Sequence, residues 1–220
     1  YSYHWNTTGL SGLHTITAKA YDTASQPSNP HTITVTVDLN ALPPPAPWVS
    51  ADIGAVGIGG SATYSTSTGT FNIVGSGDDI WNSADAFRYV YQPLNGDGTI
   101  VAKVNSQTNT DPWAKAGVMI RQDTTAGSAH AFMFVTPSNG AAFKYRTAAS
   151  SASGPEGTGS SYALPIWLKL QRSGNTFIGY TSTNGVTFTQ SGTVNITMGA
   201  TALVGLAITS HNNTVISSAQ

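Results

Sequence analysis

The chain has 220 residues, 9% of them charged, with 23 glycines, no cysteine and a formal net charge of −1. An average soluble domain is roughly 25% charged, so this surface meets water through Ser, Thr, Asn and Gly, and nine scattered basic residues do not make a nucleic-acid partner. The lack of cysteine excludes a disulfide scaffold, a thiol nucleophile and thiolate metal sites, and no apolar run nears the roughly 20 residues a membrane-spanning helix needs.

In chain order, SYHWNTT (2–8), LHTITAKAY (13–21) and HTITVTV (31–37) read as strands. The last alternates Ile33, Val35 and Val37 with Thr, the period of a half-buried strand. DTASQPSNP (22–30) between them is rich in turn formers. Three strands do not enclose a core. LNALPPPAP (39–47) places four prolines in positions 43–47, a short semi-rigid spacer.

WNTTGLSGLHTITAKAYDTASQPS followed by TITVTV resembles the last strands of bacterial immunoglobulin-like modules, with Gly12, His14, Ala18, Ala20 and Asp22 carrying the likeness. The resemblance implies that residues 1–38 are the C-terminal strands of such a domain, that 39–47 is a linker, and that a second domain occupies 48–220.

From Trp48 onward, strand signals recur between Gly, Asn, Ser and Asp. They are SATYS, TFNIVGS, AFRYVYQPL, GTIVAKVNS, AKAGVMIRQ, HAFMFVTP, AAFKYRT, IWLKLQRS, TFIGYTS, TFTQSGTVNIT and ALVGLAITS. No long amphipathic helix interrupts them. The fold class is all-β, a sandwich or jelly roll. Asn184-Gly185 signals a two-residue type I′ hairpin.

ADIG (51–54), GSGDDIW (75–81), YQPLNGDGTIVAKV (91–104), WAKAGVMIR (113–121), HAFMFVTP (130–137), WLKLQRSGNTFIGYTSTNGVTF (167–188) and VGLAITSH (204–211) together resemble the concanavalin-A-like, laminin-G-like domains of large bacterial secreted proteins. Many of those accompany glycoside hydrolases or adhesins. The resemblance implies a concanavalin-like jelly roll over 48–220 in an extracellular, secreted or cell-surface protein. In that family the SHN segment leads into one more strand. Here SSAQ follows, so the resemblance implies a sandwich lacking its last strand, with an open edge that a neighbouring copy could fill.

Concanavalin-like folds include retaining glucanases, whose paired carboxyls lie roughly 5 Å apart. Glu156 is the only glutamate of the large domain and sits in the loop SGPEGTG without a partner at alternate positions. Asp78 and Asp79 are adjacent and would point to opposite faces of a strand. The expectation is therefore not an enzyme. No serine stands in a nucleophile elbow beside His130 or His211, and no paired histidines suggest zinc. Asp78, Asp79 and Asp85 could contribute oxygens to a calcium ion, or could cap loop amides as Asx-turns.

Sugar recognition uses aromatic faces against pyranose C–H faces, with charged and amide groups meeting the hydroxyls. Strand parity puts Ala116, Val118 and Ile120 on one face with Ile166, Leu168 and Leu170 opposite them in the core. Lys115, Arg121, Trp167, Lys169, His130 and Tyr145 are then expected across one outer, concave sheet face as a polysaccharide groove. Trp113, after Pro112, either anchors the start of its strand or lines the rim of that groove. The functional expectation is a non-catalytic carbohydrate-binding or adhesion module. The alternative is a subunit of an extracellular fibre completed by strand exchange between chains.

Overall fold

The structure is a computed structural model and describes Trp5 and residues 12–37, 41–154 and 161–220. The expected strand at 2–8 and the loop glutamate Glu156 lie outside the described residues. Among those described, the chain is all β, with no helix.

Eighteen strands follow in order among the described residues. They are β1 (Gly12–Ala18), β2 (His31–Val37), β3 (Ala41–Leu42), β4 (Val49–Ile53), β5 (Ser61–Ser65), β6 (Thr70–Gly75), β7 (Ile80–Trp81), β8 (Ala84–Asp85) and β9 (Phe87–Asn95). After them come β10 (Gly98–Val104), β11 (Lys115–Arg121), β12 (His130–Thr136), β13 (Gly140–Arg146), β14 (Ile166–Ser173), β15 (Thr176–Ser182), β16 (Thr189–Asn195), β17 (Thr201–Thr209) and β18 (Ser217–Ala219). All pairings are antiparallel.

β1 and β2 form a two-stranded sheet of their own. The remainder is an open sandwich. A six-stranded sheet, ordered β13-β12-β11-β17-β9-β4, packs against two four-stranded sheets, β10-β14-β15-β16 and β18-β6-β5-β3. The main core lies between the first two, with Val118, Ile120, Ala131 and Met133 from one side and Ile166, Leu168, Leu170 and Phe177 from the other. Ile73 joins the third sheet to Val90 and Ile208. The expected core residues of β11 and β14 are thus in the core.

β14 shows why a strand of period two forms here. Ile166, Leu168, Leu170 and Arg172 are buried, and Trp167, Lys169 and Gln171 between them are half-buried on the outer face. β11 and β12 behave differently, because every residue in both is buried. The six-stranded sheet is a middle layer. Its second face is covered by Ile53, Ile80, Phe87, Tyr89, Met119, Phe132 and Phe134 and by the loops above them.

The Asn184-Gly185 expectation needs correction. Gly185 has φ 72°, but Asn184 is not in the left-handed region that a type I′ turn requires at both positions. β15 ends at Ser182 and β16 begins at Thr189, so the connection is longer. Asn184 Oδ1 instead accepts from the amides of Val186 and Thr187, an Asx-type loop.

Candidate functional site

The second face of the six-stranded sheet was the expected groove, and this chain fills it. The β7–β8 hairpin lies along β11, tied down at both ends. At one end Asp85 meets Arg121 and Arg146. Arg146 donates to both carboxylate oxygens at 2.9 and 2.7 Å, and Arg121 to one at 3.2 Å. Arg146 also donates to the carbonyls of Trp81 and Asn82. Arg121 and Arg146 are 0% and Asp85 2% exposed. His130 lies among them, its Nδ1 3.4 Å from the Ser128 carbonyl oxygen. Burial pushes its imidazole down to about 4; Asp85 opposes this, while Arg121 and Arg146 reinforce it. The ring is neutral at pH 7.

This overturns part of the expected groove. Arg121, His130 and Lys115 do share a face, but that face is closed: Arg121 and Lys115 bond to groups of the chain itself, and among the described residues His130 Nε2 is buried without a hydrogen-bond partner. Trp167 and Lys169 are on a different sheet, the outer face of β14. Lys169 Nζ sits 3.9 Å from the Tyr180 ring centroid and 4.5 Å from that of Phe188. Gly185 lies against Trp167, where a Cβ would come within 2.7 Å of the indole. Tyr145 is on the core side, packed against the main cluster. Parity assigns faces correctly within each strand, but it does not say which face meets water or which strands share a sheet.

At the other end of β11 the cover is thinner, and here the structure gathers groups at an open rim. Lys115 donates to Asp79 and, at 3.0 Å, to the Trp113 carbonyl oxygen. Burial lowers the Lys115 pKa, and Asp79 opposes the shift. His211 bridges two carboxylates, with Nε2 3.2 Å from Asp79 and Nδ1 3.3 Å from Asp111. It holds a positive φ of 56°, a region few non-glycine residues occupy. Asp111 also caps the Trp113 amide at 2.7 Å, which fixes the start of β11. Asn139 donates to the Pro112 carbonyl oxygen at 2.8 Å.

Over this rim lie two indoles. Trp113 is 37% exposed. Lys144 Nζ is 3.5 Å from the Trp81 ring centroid and 5.9 Å from that of Trp113, within cation–π range of both. A recess of about 390 Å³ opens beside them, lined by Trp113, Pro137, Asn139, Gly140 and Tyr162. Sequence reasoning found Trp113 but missed Lys144, His211 and Asn139 as its neighbours. The available signal was Lys144 alternating with Phe143 and Tyr145 in β13, on the same face as Arg146.

The three aspartates considered for calcium are separated in role. Asp78 is exposed, Asp79 holds Lys115 and His211, and Asp85 holds the two guanidiniums. Among the described residues no group of three or more acidic or histidine side chains is arranged to hold a metal ion. No helix among them is long and apolar enough to cross a membrane.

Fold and rim together define an all-β antiparallel sandwich with a half-open aromatic and ionic site at one end of its larger sheet. No family model matches the chain, and no curated protein matches it. Among solved structures it is similar to a functionally unknown protein from Saccharomyces cerevisiae, at 13% identity and a TM-score of 0.54, over 68% of this chain and 83% of that one. At that identity the likeness shows the fold alone.

Proposed function

We propose that the chain is a non-catalytic carbohydrate-recognition module of a concanavalin-like kind, part of an extracellular protein, and that it takes a glycan at the rim. The carrying observation is the half-exposed Trp113 beside Lys144 and Trp81, bordered by Asp111, His211 and Asn139. An indole face offers an apolar, polarisable surface to the axial C–H groups of a pyranose. A carboxylate, an amide and an imidazole at its edge supply acceptors and donors for hydroxyls. The recess of about 390 Å³ is of the size that small ligands occupy.

What supports binding without cleavage is how the carboxylates are used. Asp79 and Asp111 are both tied to His211, and Asp79 also to Lys115. Both carboxylates are thus engaged with neighbouring cationic or imidazole side chains of this chain. The test is a tryptophan-fluorescence titration against soluble polysaccharides chosen from a glycan array. Trp113→Ala should weaken binding by roughly tenfold or more, and Trp167→Ala should leave it unchanged. Equal binding by Trp113→Ala and the parent would remove the rim as the site.

A further inference from the structure

At the foot of the rim a buried amine lies against a carboxylate. Lys115 opens β11 and is 1% exposed, its Nζ 5.8 Å from the Phe134 ring centroid. It donates to Asp79 Oδ1 and, at 3.0 Å, to the Trp113 carbonyl oxygen. Asp79 stands just before β7, at the start of the hairpin that covers the sheet, with its side chain 19% exposed. Taking an ammonium out of water is costly even when it is paired.

The two oxygens of Asp79 have different partners. Oδ1 accepts from the Ile80 backbone amide at 2.7 Å. Oδ2 faces His211 Nε2 at 3.2 Å, and His211 Nδ1 lies 3.3 Å from Asp111. One oxygen thus has an N–H aimed at it, the arrangement that stabilises a developing oxyanion. The other has an imidazole in reach for proton transfer. Asp111 is a positioning residue: it holds the proton on Nδ1, which leaves Nε2 to relay one. His211 keeps this place at a positive φ of 56°, a backbone strain of the kind that functional sites carry.

We propose that Lys115 Nζ and Asp79 Cγ join in an intramolecular amide, a covalent staple between β11 and the hairpin that covers it. Nζ transfers one proton to the carboxylate and attacks Cγ as the free amine. The N–C bond forms, the charge of the tetrahedral intermediate rests on Oδ1 against the Ile80 N–H, and the C–Oδ2 bond breaks. A second hydrogen passes from the nitrogen through His211 Nε2 to Oδ2, which leaves as water. Ammonium plus carboxylate become amide plus water, so atoms and charge balance and no co-reactant is consumed.

Burial lowers the Lys115 pKa, the direction that frees an amine for attack, and Asp79 opposes it. Reacting groups held in contact reach effective molarities of roughly 10⁵–10⁸ M, which offsets the poor leaving group of an unactivated acid. The water departs through the rim, where the His211 side chain is 32% exposed. The chain has no cysteine, and this bond closes residues 79–115 into a loop as a disulfide would. It does not rest on glycan binding, and either can fail without the other.

The test is the intact mass of the full chain under denaturing conditions. The expected mass is one water below that of the sequence, and trypsin should release residues 20–88 joined to residues 104–121, uncut after Lys115. Lys115→Met, which keeps a long side chain without the amine, should restore the full mass. In cell-free synthesis followed over time, His211→Gln should slow closure by roughly 100-fold; closure at the parent rate would overturn the relay. A parent chain that keeps its full mass on prolonged incubation would overturn the proposal and leave Lys115 and Asp79 an ion pair. So would a one-water deficit that persists in Lys115→Met, which would place the loss elsewhere, in an aspartyl imide such as one at Asp97-Gly98.

Discussion

At Asp85 two guanidiniums converge in a space closed to water. Such a group is strongly coupled: removing the anion leaves two buried cations facing one another. Asp85→Asn, which keeps the volume, should cost about 3–5 kcal/mol in urea unfolding; a loss near zero would mean that the hairpin is held by its apolar contacts alone. His130 gives the same region a pH dependence. Its folded pKa of about 4 lies below the ordinary 6.5, so its contribution is fully present above pH 6.5 and is lost as pH falls toward 4. The loss through that window is roughly 3 kcal/mol. His130→Gln should flatten the stability profile between pH 7 and pH 4.5, read by denaturant unfolding at each pH. None of this network was legible in the sequence beyond its members' types. Arg121 and Arg146 lie on β11 and β13, separated by β12, and only the sheet order brings both to an aspartate in a distant hairpin.

Where β13 crosses β15 and β16, packing depends on missing side chains. A Cβ at Gly179 would lie 2.5 Å from one edge of the Phe143 ring, and one at Gly192 2.5 Å from the other. Two small residues let a phenylalanine from the facing sheet fill the layer. Alanine in a strand is ordinarily better than glycine by roughly 0.5–1 kcal/mol, but overpacking a core costs about 1–3 kcal/mol. The clash should win: Gly179→Ala should lower the melting temperature, and adding Phe143→Leu should restore part of it. A higher melting temperature for Gly179→Ala alone would refute this packing. At the scale of elements the sequence was most readable. Alternation in β14, with Leu168 in and Lys169 out, located the core face. At β11 it placed Ala116, Val118 and Ile120 in the core correctly but left the other face to solvent, whereas all seven residues are buried; no local pattern announces a sheet covered on both sides. The short strands β3, β4, β7, β8 and β18 were missed because two to five residues carry too few alternations to count.

Across the whole molecule the chain uses its scarce charge internally. Five of its nine basic residues, Lys115, Arg121, Lys144, Arg146 and Arg172, are buried. The outer surface carries hydroxyls, amides, a few aromatic rings and the exposed carboxylates of Asp22, Asp78, Asp97 and Asp123, a composition that supports the proposed glycan partner over a polyanion. The β7–β8 hairpin closes the expected groove, and the proposed recognition lies at its end, where Trp113 and Trp81 flank Lys144. The most direct test of that account is an NMR titration of the five tryptophan indole N–H signals with a soluble glycan that the protein binds. The account predicts shifts at Trp113 and Trp81, with Trp5, Trp48 and Trp167 unmoved. Shifts centred on Trp167, with Trp113 and Trp81 still, would contradict it and move recognition to the outer face of β14.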